Sequence, residues 1–141
     1  TIYKFIDWNE YKNCIVLDYG AGKFNNVKDY LLQWNIKLYC YDKYNRSEEE
    51  NNEALSVIPN IIICANVLNV IMEDNEIKRI AELLKNYNKP LYVQIYEGDK
   101  SGIGRLSKKD CWQRNEKIDS YLKYFEGFEI KGKYLYNLPA I

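Results

Sequence analysis

The sequence predicts an α/β sandwich with a mainly parallel β-sheet, because short apolar runs alternate with segments of helical periodicity. The apolar runs have the length of buried strands, and glycine, proline or polar residues bound them. With 141 residues, of which 47% are hydrophobic, the chain is expected to form one domain, residues 1–141, around a single core.

Two strand patterns, each followed by a helical pattern, make up most of the first half. A short aromatic and apolar arm precedes them and is expected to cover the sheet. Val27, Tyr30, Leu31 and Trp34 recur at helical spacing after asparagines that can cap the helix. The predicted elements are a strand over 14–20, a helix over 25–34, a strand over 36–42 and a helix around 47–57.

The second half begins with the most apolar strand pattern and becomes less regular toward its end. The predicted elements are a strand over 61–65, a helix over 74–86, a strand over 89–99, an irregular segment over 99–115, a helix over 116–126 and two antiparallel strands over 127–138. In a parallel sheet of this kind, ligands bind at the carboxyl ends of the strands. We therefore expect the chemistry at residues 18–23, 42–45, 65–69 and 96–99.

Composition and charge exclude several classes of protein. The formal net charge is zero, so no chain-wide attraction to nucleic acid or membrane is expected, which leaves room for a local basic patch. No apolar run reaches the length of a membrane span, and the first residues lack the pattern of a signal peptide. The four cysteines form no CxxC pair and are interpreted as free thiols rather than metal ligands, which favours a reducing, cytoplasmic setting.

The chain contains no histidine, which removes the commonest general base and the usual partner of a nucleophilic serine or cysteine. Any catalysis must then use carboxylates, lysine, tyrosine, asparagine, backbone groups or a reactive cofactor.

The motif D-Y-G-A-G at residues 18–22 follows the first predicted strand. Gly20 and Gly22 allow a sharp turn and a close approach of the backbone to a ligand, while Asp18 offers a carboxylate. The third glycine of the dinucleotide fingerprint is missing, so a plain strand-to-helix turn stays open as an alternative.

Asp42 ends the second strand, 24 residues after Asp18, near the offset at which an acid binds ribose hydroxyls. Its alternative role is to cap the loop that follows.

These segments, VLDYGAGKFNNVKDYL, LYCYDKYN and IIICANVLNVI, resemble the first half of a class I S-adenosylmethionine-dependent methyltransferase. The resemblance implies a reduced Rossmann-like three-layer α/β/α fold, with S-adenosyl-L-methionine as cofactor. It implies that Asp18, Gly20, Ala21 and Gly22 line the methionine and adenosine portions of the cofactor and that Asp42 holds the ribose. It also implies that Asn66, Val67 and Leu68 face the transferring methyl group.

The sequence departs from that family in two ways. Only 18 residues separate Asp42 from the Ile-rich strand, so a strand-helix unit that would contribute to the adenine site is missing or shortened. The Asp/Asn-Pro-Pro-aromatic tetrapeptide of exocyclic-amine methyltransferases and the Pro-Cys pair for attack on cytosine carbon are both absent.

Methyl transfer from a sulfonium needs mainly proximity and alignment, so the lack of histidine is compatible with it. The candidate catalytic residues are Asn66, as hydrogen-bond acceptor for the target amine or hydroxyl, and Glu97, as base at the end of the fourth predicted parallel strand. Asn69 is a further candidate, and Asn66 has the alternative role of a turn residue.

The irregular segment is the predicted substrate or nucleic-acid surface. Basic groups beside an aromatic ring suit phosphate contact with base stacking, whereas a solvated loop anchored by its tryptophan is the alternative. The residues concerned are Arg105, Lys108, Lys109, Trp112 and Arg114.

Two functions follow from this reading. The first is a SAM-dependent methyltransferase that acts on nucleic acid or another soluble acceptor. The alternative is a catalytically inactive methyltransferase-like protein that binds a nucleotide ligand or a protein partner. A second copy of the chain, forming a homodimer over an exposed sheet edge, is a further partner to consider, and no membrane partner is expected.

Overall fold

Helices and strands alternate through a computed structural model that describes residues 1–107 and 109–139. The chain divides into two compact units, the first over Thr1–Ala65 and the second from Asn66 onward. We describe each unit by itself.

The first unit contains three parallel strands, with β1 at the centre and β2 and β3 on either side. Asp18 lies opposite Cys40 of β2 and Ile63 of β3. Its elements are α1 (Ile2–Phe5), β1 (Ile15–Tyr19), α2 (Asn26–Leu31), β2 (Lys37–Tyr41), α3 (Glu48–Ser56) and β3 (Ile61–Ala65). The chain moves from β1 to one side and then returns to the other, so the carboxyl end of β1 is a topological switch point.

Burial explains why these segments form strands. Val16 and Leu17 of β1 and the residues of β3 from Ile61 to Cys64 are fully buried, as expected for continuous apolar runs in a parallel sheet.

The predicted helix over 25–34 is α-helical only to Leu31 and continues as a 3-10 helix to Trp34. Asn35, at a left-handed φ of 54°, ends it there.

The N-terminal arm packs on the first unit, as its aromatic residues predict. Tyr3 and Trp8 are buried and their rings stack, with centroids 5.8 Å apart. The Trp8 Nε1–H donates to the Tyr3 carbonyl oxygen at 2.7 Å. The Tyr3 hydroxyl in turn donates to Asp18 on β1, which ties the arm to the central strand.

In its described residues, the second unit contains one long helix and two separate groups of antiparallel strands. Its strand β8 lies between β4 and β7 and is antiparallel to both. Strands β5 and β6 pair separately as a two-stranded ribbon. The elements are α4 (Asp74–Lys85), β4 (Leu91–Gln94), β5 (Arg105–Leu106), β6 (Trp112–Gln113), β7 (Glu129–Lys131) and β8 (Tyr134–Asn137).

The α/β class and the C-terminal antiparallel hairpin are confirmed, and three further details differ from prediction. The strand predicted over 89–99 is only Leu91–Gln94, because its partner β8 begins at Tyr134, the residue opposite Gln94. The irregular segment contains the ordered ribbon of β5 and β6. The helix predicted over 116–126 is a 3-10 helix, and it is regular only over Ile118–Tyr121, followed by further i→i+3 bonds to Phe125.

All four cysteines have free thiols, and Cys40 and Cys64 are buried in the strands of the first unit. Burial raises the pKa of both thiols, most strongly that of Cys64. Within the described residues, no helix has the length and apolar character needed to cross a membrane.

Gly98 and Gly102 provide a matched test of packing in the second unit, because both have a positive φ. A Cβ on Gly98 would lie 1.9 Å from Asn115 Oδ1, whereas a Cβ on Gly102 meets no atom within 4 Å. We expect Gly98→Ala to lower the free energy of unfolding by about 2–4 kcal/mol and Gly102→Ala by about 1 kcal/mol. Urea denaturation of both variants measures this, and equal losses would contradict the packing argument.

Candidate functional site

The glycine turn at residues 20–22 is tied to the end of the neighbouring strand. Gly20 and Gly22 have φ values of 87° and 73°, a region that favours glycine. The N–H groups of Gly20 and Ala21 both donate to the Tyr41 carbonyl oxygen, at 2.7 and 3.0 Å. The Gly22 N–H donates to Asp42 Oδ2 at 2.8 Å. The turn therefore directs three consecutive N–H groups at the carboxyl end of β2.

Asp42 accepts four hydrogen bonds that organise both this turn and its own loop. Besides Gly22, the donors are the backbone N–H groups of Tyr44 and Asn45 and the Asn45 side-chain amide, all to Oδ1, at 3.0–3.1 Å. Burial alone would raise the pKa of Asp42, but these hydrogen bonds together lower it below its usual value. Asp42 is thus a stable carboxylate at neutral pH, and it caps its loop and contacts the glycine turn.

Arg46 joins the same two segments from the other side. Its side chain is only 4% exposed, and its Nε donates to the Gly22 carbonyl oxygen at 2.7 Å. Its two terminal nitrogens donate to the Phe24 carbonyl oxygen at 2.7 Å and to Asn25 Oδ1 at 2.6 Å. Glu50, one helical turn later, lies 3.3 Å from the guanidinium. Arg46 therefore holds the chain as it leaves the glycine turn.

Asp18 is buried below the turn, with only one of its oxygens partnered. Oδ2 accepts a hydrogen bond from the Tyr3 hydroxyl at 2.5 Å, whereas Oδ1 has no partner among the described residues. Burial raises the pKa of Asp18 to about 6, against the lowering effects of Tyr3 and Arg46. A buried carboxylate oxygen without a donor is costly when ionised, which agrees with the raised pKa of Asp18.

The second unit holds the residues predicted to face the transferring methyl group. Asn66 is exposed and lies in the left-handed region at φ 59°, with its N–H donating to the Gln94 carbonyl oxygen at 2.9 Å. Val67 is half-buried and Leu68 is fully buried in a short 3-10 turn. Asn66 thus occupies a turn conformation and keeps its amide at the surface.

The other polar candidates of this unit take part in structural hydrogen bonds. Glu97 Oε2 accepts from the Ile118 N–H at 2.8 Å and so caps the following 3-10 helix. Asn69 is buried, with Oδ1 accepting from the Tyr96 N–H and Nδ2 donating to Gln113, both at 3.4 Å. The Ile118 bond occupies only one of the two carboxylate oxygens of Glu97.

The predicted substrate surface separates into an exposed part and an internal part. Arg105 and Lys109 are exposed, Trp112 is half-buried against Gly104, and Lys108 lies outside the described residues. Arg114 differs from the expectation of an exposed base, because its side chain is 10% exposed and pairs with Asp74 and Glu116 at 2.5 Å. It also donates to the carbonyl oxygens of residues 71 and 72, so its donors serve the unit's own structure.

Sequence reasoning missed Tyr3 and Arg46, the side chains that contact Asp18 and the glycine turn. Tyr3 is one of 14 tyrosines, and no pattern around it in the sequence distinguishes it from the others. Arg46 stands four residues after Asp42 and four before Glu50. That spacing suits an ion pair at a helix start, but nothing local indicates contact with residues 22–25.

A comparison with protein-family models finds no match for this chain, and a comparison with curated proteins finds none either. The chemistry of the described residues therefore carries the functional argument.

Asp18 is expected to make stability depend on pH. Because its folded pKa is raised to about 6, the folded state is favoured below the unfolded pKa near 4, and this advantage is lost as the pH rises to 6. Relative to wild type, Asp18→Asn should gain stability between pH 4 and 6, by about 2–3 kcal/mol at most, and level off above. Urea unfolding at several pH values measures the difference.

Tyr3→Phe is the control for this prediction, since it removes the one described donor to the carboxylate. We expect Tyr3→Phe to lose more stability at pH 7 than at pH 4. Parallel stability curves for wild type and Asp18→Asn would show that Asp18 does not titrate in this range.

Replacing Arg46 tests the contacts on the exit from the glycine turn. Arg46→Met leaves the acceptors of Gly22, Phe24 and Asn25 without their described donor, and we expect a loss of about 2–4 kcal/mol. Arg79→Met, which removes an exposed i,i+3 pair with Glu76, should cost less than about 1 kcal/mol. Thermal unfolding of the two variants shows whether the buried Arg46 side chain stabilises the fold more than the exposed Arg79–Glu76 ion pair does.

Proposed function

We propose that this chain binds S-adenosyl-L-methionine at the carboxyl ends of β1 and β2 and uses it as a methyl donor toward a nucleic-acid or other soluble acceptor. The observation that carries the proposal is the contact between Asp42 and Gly22, which joins an acid after the second strand to the glycine turn after the first. This contact lies at the switch point of a parallel sheet, where α/β proteins bind ligands.

Asp42 has the chemistry to hold a ribose. Its Oδ1 accepts three of the four described hydrogen bonds, whereas Oδ2 accepts only that from Gly22. A carboxylate oxygen can accept two hydrogen bonds, so Oδ2 has a position for a ribose hydroxyl. The lowered pKa keeps the group ionised, which strengthens such a bond.

The glycine turn supports the proposal through its shape rather than through free donors. Its three N–H groups are already bonded to Tyr41 and Asp42. Gly22 has no atom within 4 Å of the position where a Cβ would stand, so the outside of the turn is open to a ligand. Asp18, whose Oδ1 is buried and unpartnered, lies at the end of the strand that leads into this turn.

The bound cofactor would supply a methyl group on a positively charged sulfur that leaves as a neutral thioether. The chain then has to hold the acceptor in line and exclude water, which residues without histidine can do. In the family that the sequence resembles, Asn66, Val67 and Leu68 would line the acceptor side, but Leu68 is fully buried in this chain and has no surface for an acceptor. Asn66 and Glu97 are the proposed acceptors of the target's proton or hydrogen bond. The reduced three-layer methyltransferase fold is part of this proposal, as is a reducing, cytoplasmic setting, which the free thiols support.

A second candidate is a protein that binds the same ligand without turnover. Glu97 already bonds the Ile118 N–H, which favours a structural role for this carboxylate. Only one described helix, α3, connects β2 to β3, so little chain is left in the first unit to enclose an adenine.

Calorimetry with S-adenosylhomocysteine tests the ligand. We expect binding by the wild-type protein and a loss of at least tenfold in affinity for Asp42→Ala, because the ribose loses its acceptor and the turn loses its tie. Asp29→Ala removes an exposed acid of the same unit and should leave the affinity unchanged. Circular dichroism must show that Asp42→Ala is folded; if it is not, Asp42→Asn replaces it. Absence of binding by the folded wild-type protein would refute the proposal.

Transfer of a labelled methyl group separates the two candidates. The protein is incubated with labelled cofactor and with pools of DNA, RNA and protein. Label in one pool supports the methyltransferase, whereas ligand binding with no label in any pool supports the binding protein.

A further inference from the structure

Strand β2 is the last strand of its sheet among the described residues, and it pairs only with β1. In a strand, the N–H and C=O of one residue point to the same side, and successive residues alternate between the two sides. The Lys37 N–H donates to the Cys14 carbonyl oxygen, and the Tyr41 carbonyl oxygen accepts from the glycine turn. The odd-numbered residues of β2 therefore bond toward β1, and the peptide groups of Leu38 and Cys40 point away from it, along what we call the outer edge of β2.

Both ends of this outer edge are capped by groups of the same chain. At one end, the Ile36 N–H donates to the Leu31 carbonyl oxygen at 3.3 Å. At the other end, the Asn51 side chain accepts from the Asp42 N–H at 2.9 Å and donates to the Asp42 carbonyl oxygen at 3.1 Å. Between the caps, the two outward N–H groups and the two outward C=O groups of β2 have no hydrogen-bond partner among the described residues.

An open groove beside the outer edge gives a second chain access to these groups. Its volume is about 380 Å³, and its lining includes residues 36–39 together with Lys28, Asp29 and Leu32 from α2 and the turn after it. Leu32 is 64% exposed and adds apolar surface to the groove. The charged residues of the lining have both signs, so two copies of this surface can approach without uniform repulsion.

We propose that a second copy of this chain pairs with the outer edge of β2 in antiparallel order, about a twofold axis at Tyr39. In that register, Leu38 of one copy lies opposite Cys40 of the other and exchanges two N–H···O bonds with it. The two such pairs of the dimer use all four open groups of each copy. Tyr39 lies opposite its own counterpart, as expected for a contact between identical surfaces.

The length of the open part of the edge favours a copy of the chain over a longer extended peptide. In the proposed register, Ile36 of one copy lies opposite Asp42 of the other, and both N–H groups are already bonded within their own chain. The pairing therefore ends where the caps begin. A longer peptide would extend past the caps and find no open N–H group there.

Sedimentation of the full chain over a range of concentrations tests this interface. We expect the wild-type protein to form a dimer, and Tyr39→Lys and Tyr39→Glu each to raise its Kd at least tenfold, because like charges then lie directly opposite. An equimolar mixture of the two variants should restore dimerisation, since opposite charges face each other in the mixed dimer. The control Tyr44→Lys makes the same change at a tyrosine that is 86% exposed in the loop after β2, and it should dimerise as the wild type does.

Amide hydrogen exchange of the wild-type protein adds a measurement that needs no variant. The N–H groups of Leu38 and Cys40 should exchange at least tenfold more slowly at concentrations that give the dimer than at those that give the monomer. This slowing should exceed that of Lys37, whose N–H is already bonded within the chain.

Four outcomes would overturn the inference: a wild-type monomer at every concentration, a dimer that Tyr39→Lys leaves unchanged, a variant mixture that stays monomeric, or exchange at Leu38 and Cys40 that is independent of concentration. Circular dichroism identifies a variant that does not fold, and amide exchange of the wild-type protein then decides. The proposed ligand has no part in this contact, so failure to bind S-adenosylhomocysteine would leave the inference standing.

Discussion

The carboxylate of Asp42 is the group on which the candidate site depends. It accepts hydrogen bonds from the turn after β1 and from the loop after β2, so one side chain sets the relative position of two strand ends. Arg46 closes the same arrangement by donating to the chain on the far side of Gly22. The low pKa of Asp42 follows from these donors, since each favours the ionised form over the protonated form.

This arrangement explains how one turn can be both structural and suited to a ligand. The N–H groups of residues 20–22 are used to tie β1 to β2, so they are not a free cradle for an anion. What remains for a ligand is the acceptor capacity of Asp42 Oδ2. An acceptor suits a hydroxyl or ammonium group better than it suits a phosphate, which is why the proposed ligand is an adenosyl amino acid.

Side chains that looked equivalent in the sequence have different roles in the second unit. Arg105 and Arg114 belong to one basic segment of the sequence. Arg114 forms ion pairs with Asp74 and Glu116, whereas Arg105 is exposed to solvent. Glu97 and Asn69, both polar residues near strand ends, are used to cap or brace neighbouring turns. The buried polar groups of this unit thus hydrogen-bond to the backbone and side chains of its irregular segment.

The amino-acid sequence by itself determined the strands of the first unit, helix α4 and the C-terminal hairpin, because apolar periodicity and glycine positions are local properties. It also placed Asp42 and the glycine turn at neighbouring strand ends, since parallel strands end at a common edge. Only the tertiary structure decided that residues 118–125 form 3-10 turns, that Arg46 clamps the turn and that Tyr3 reaches Asp18. Those outcomes depend on which donors and acceptors meet across long stretches of chain, and no local pattern records such meetings.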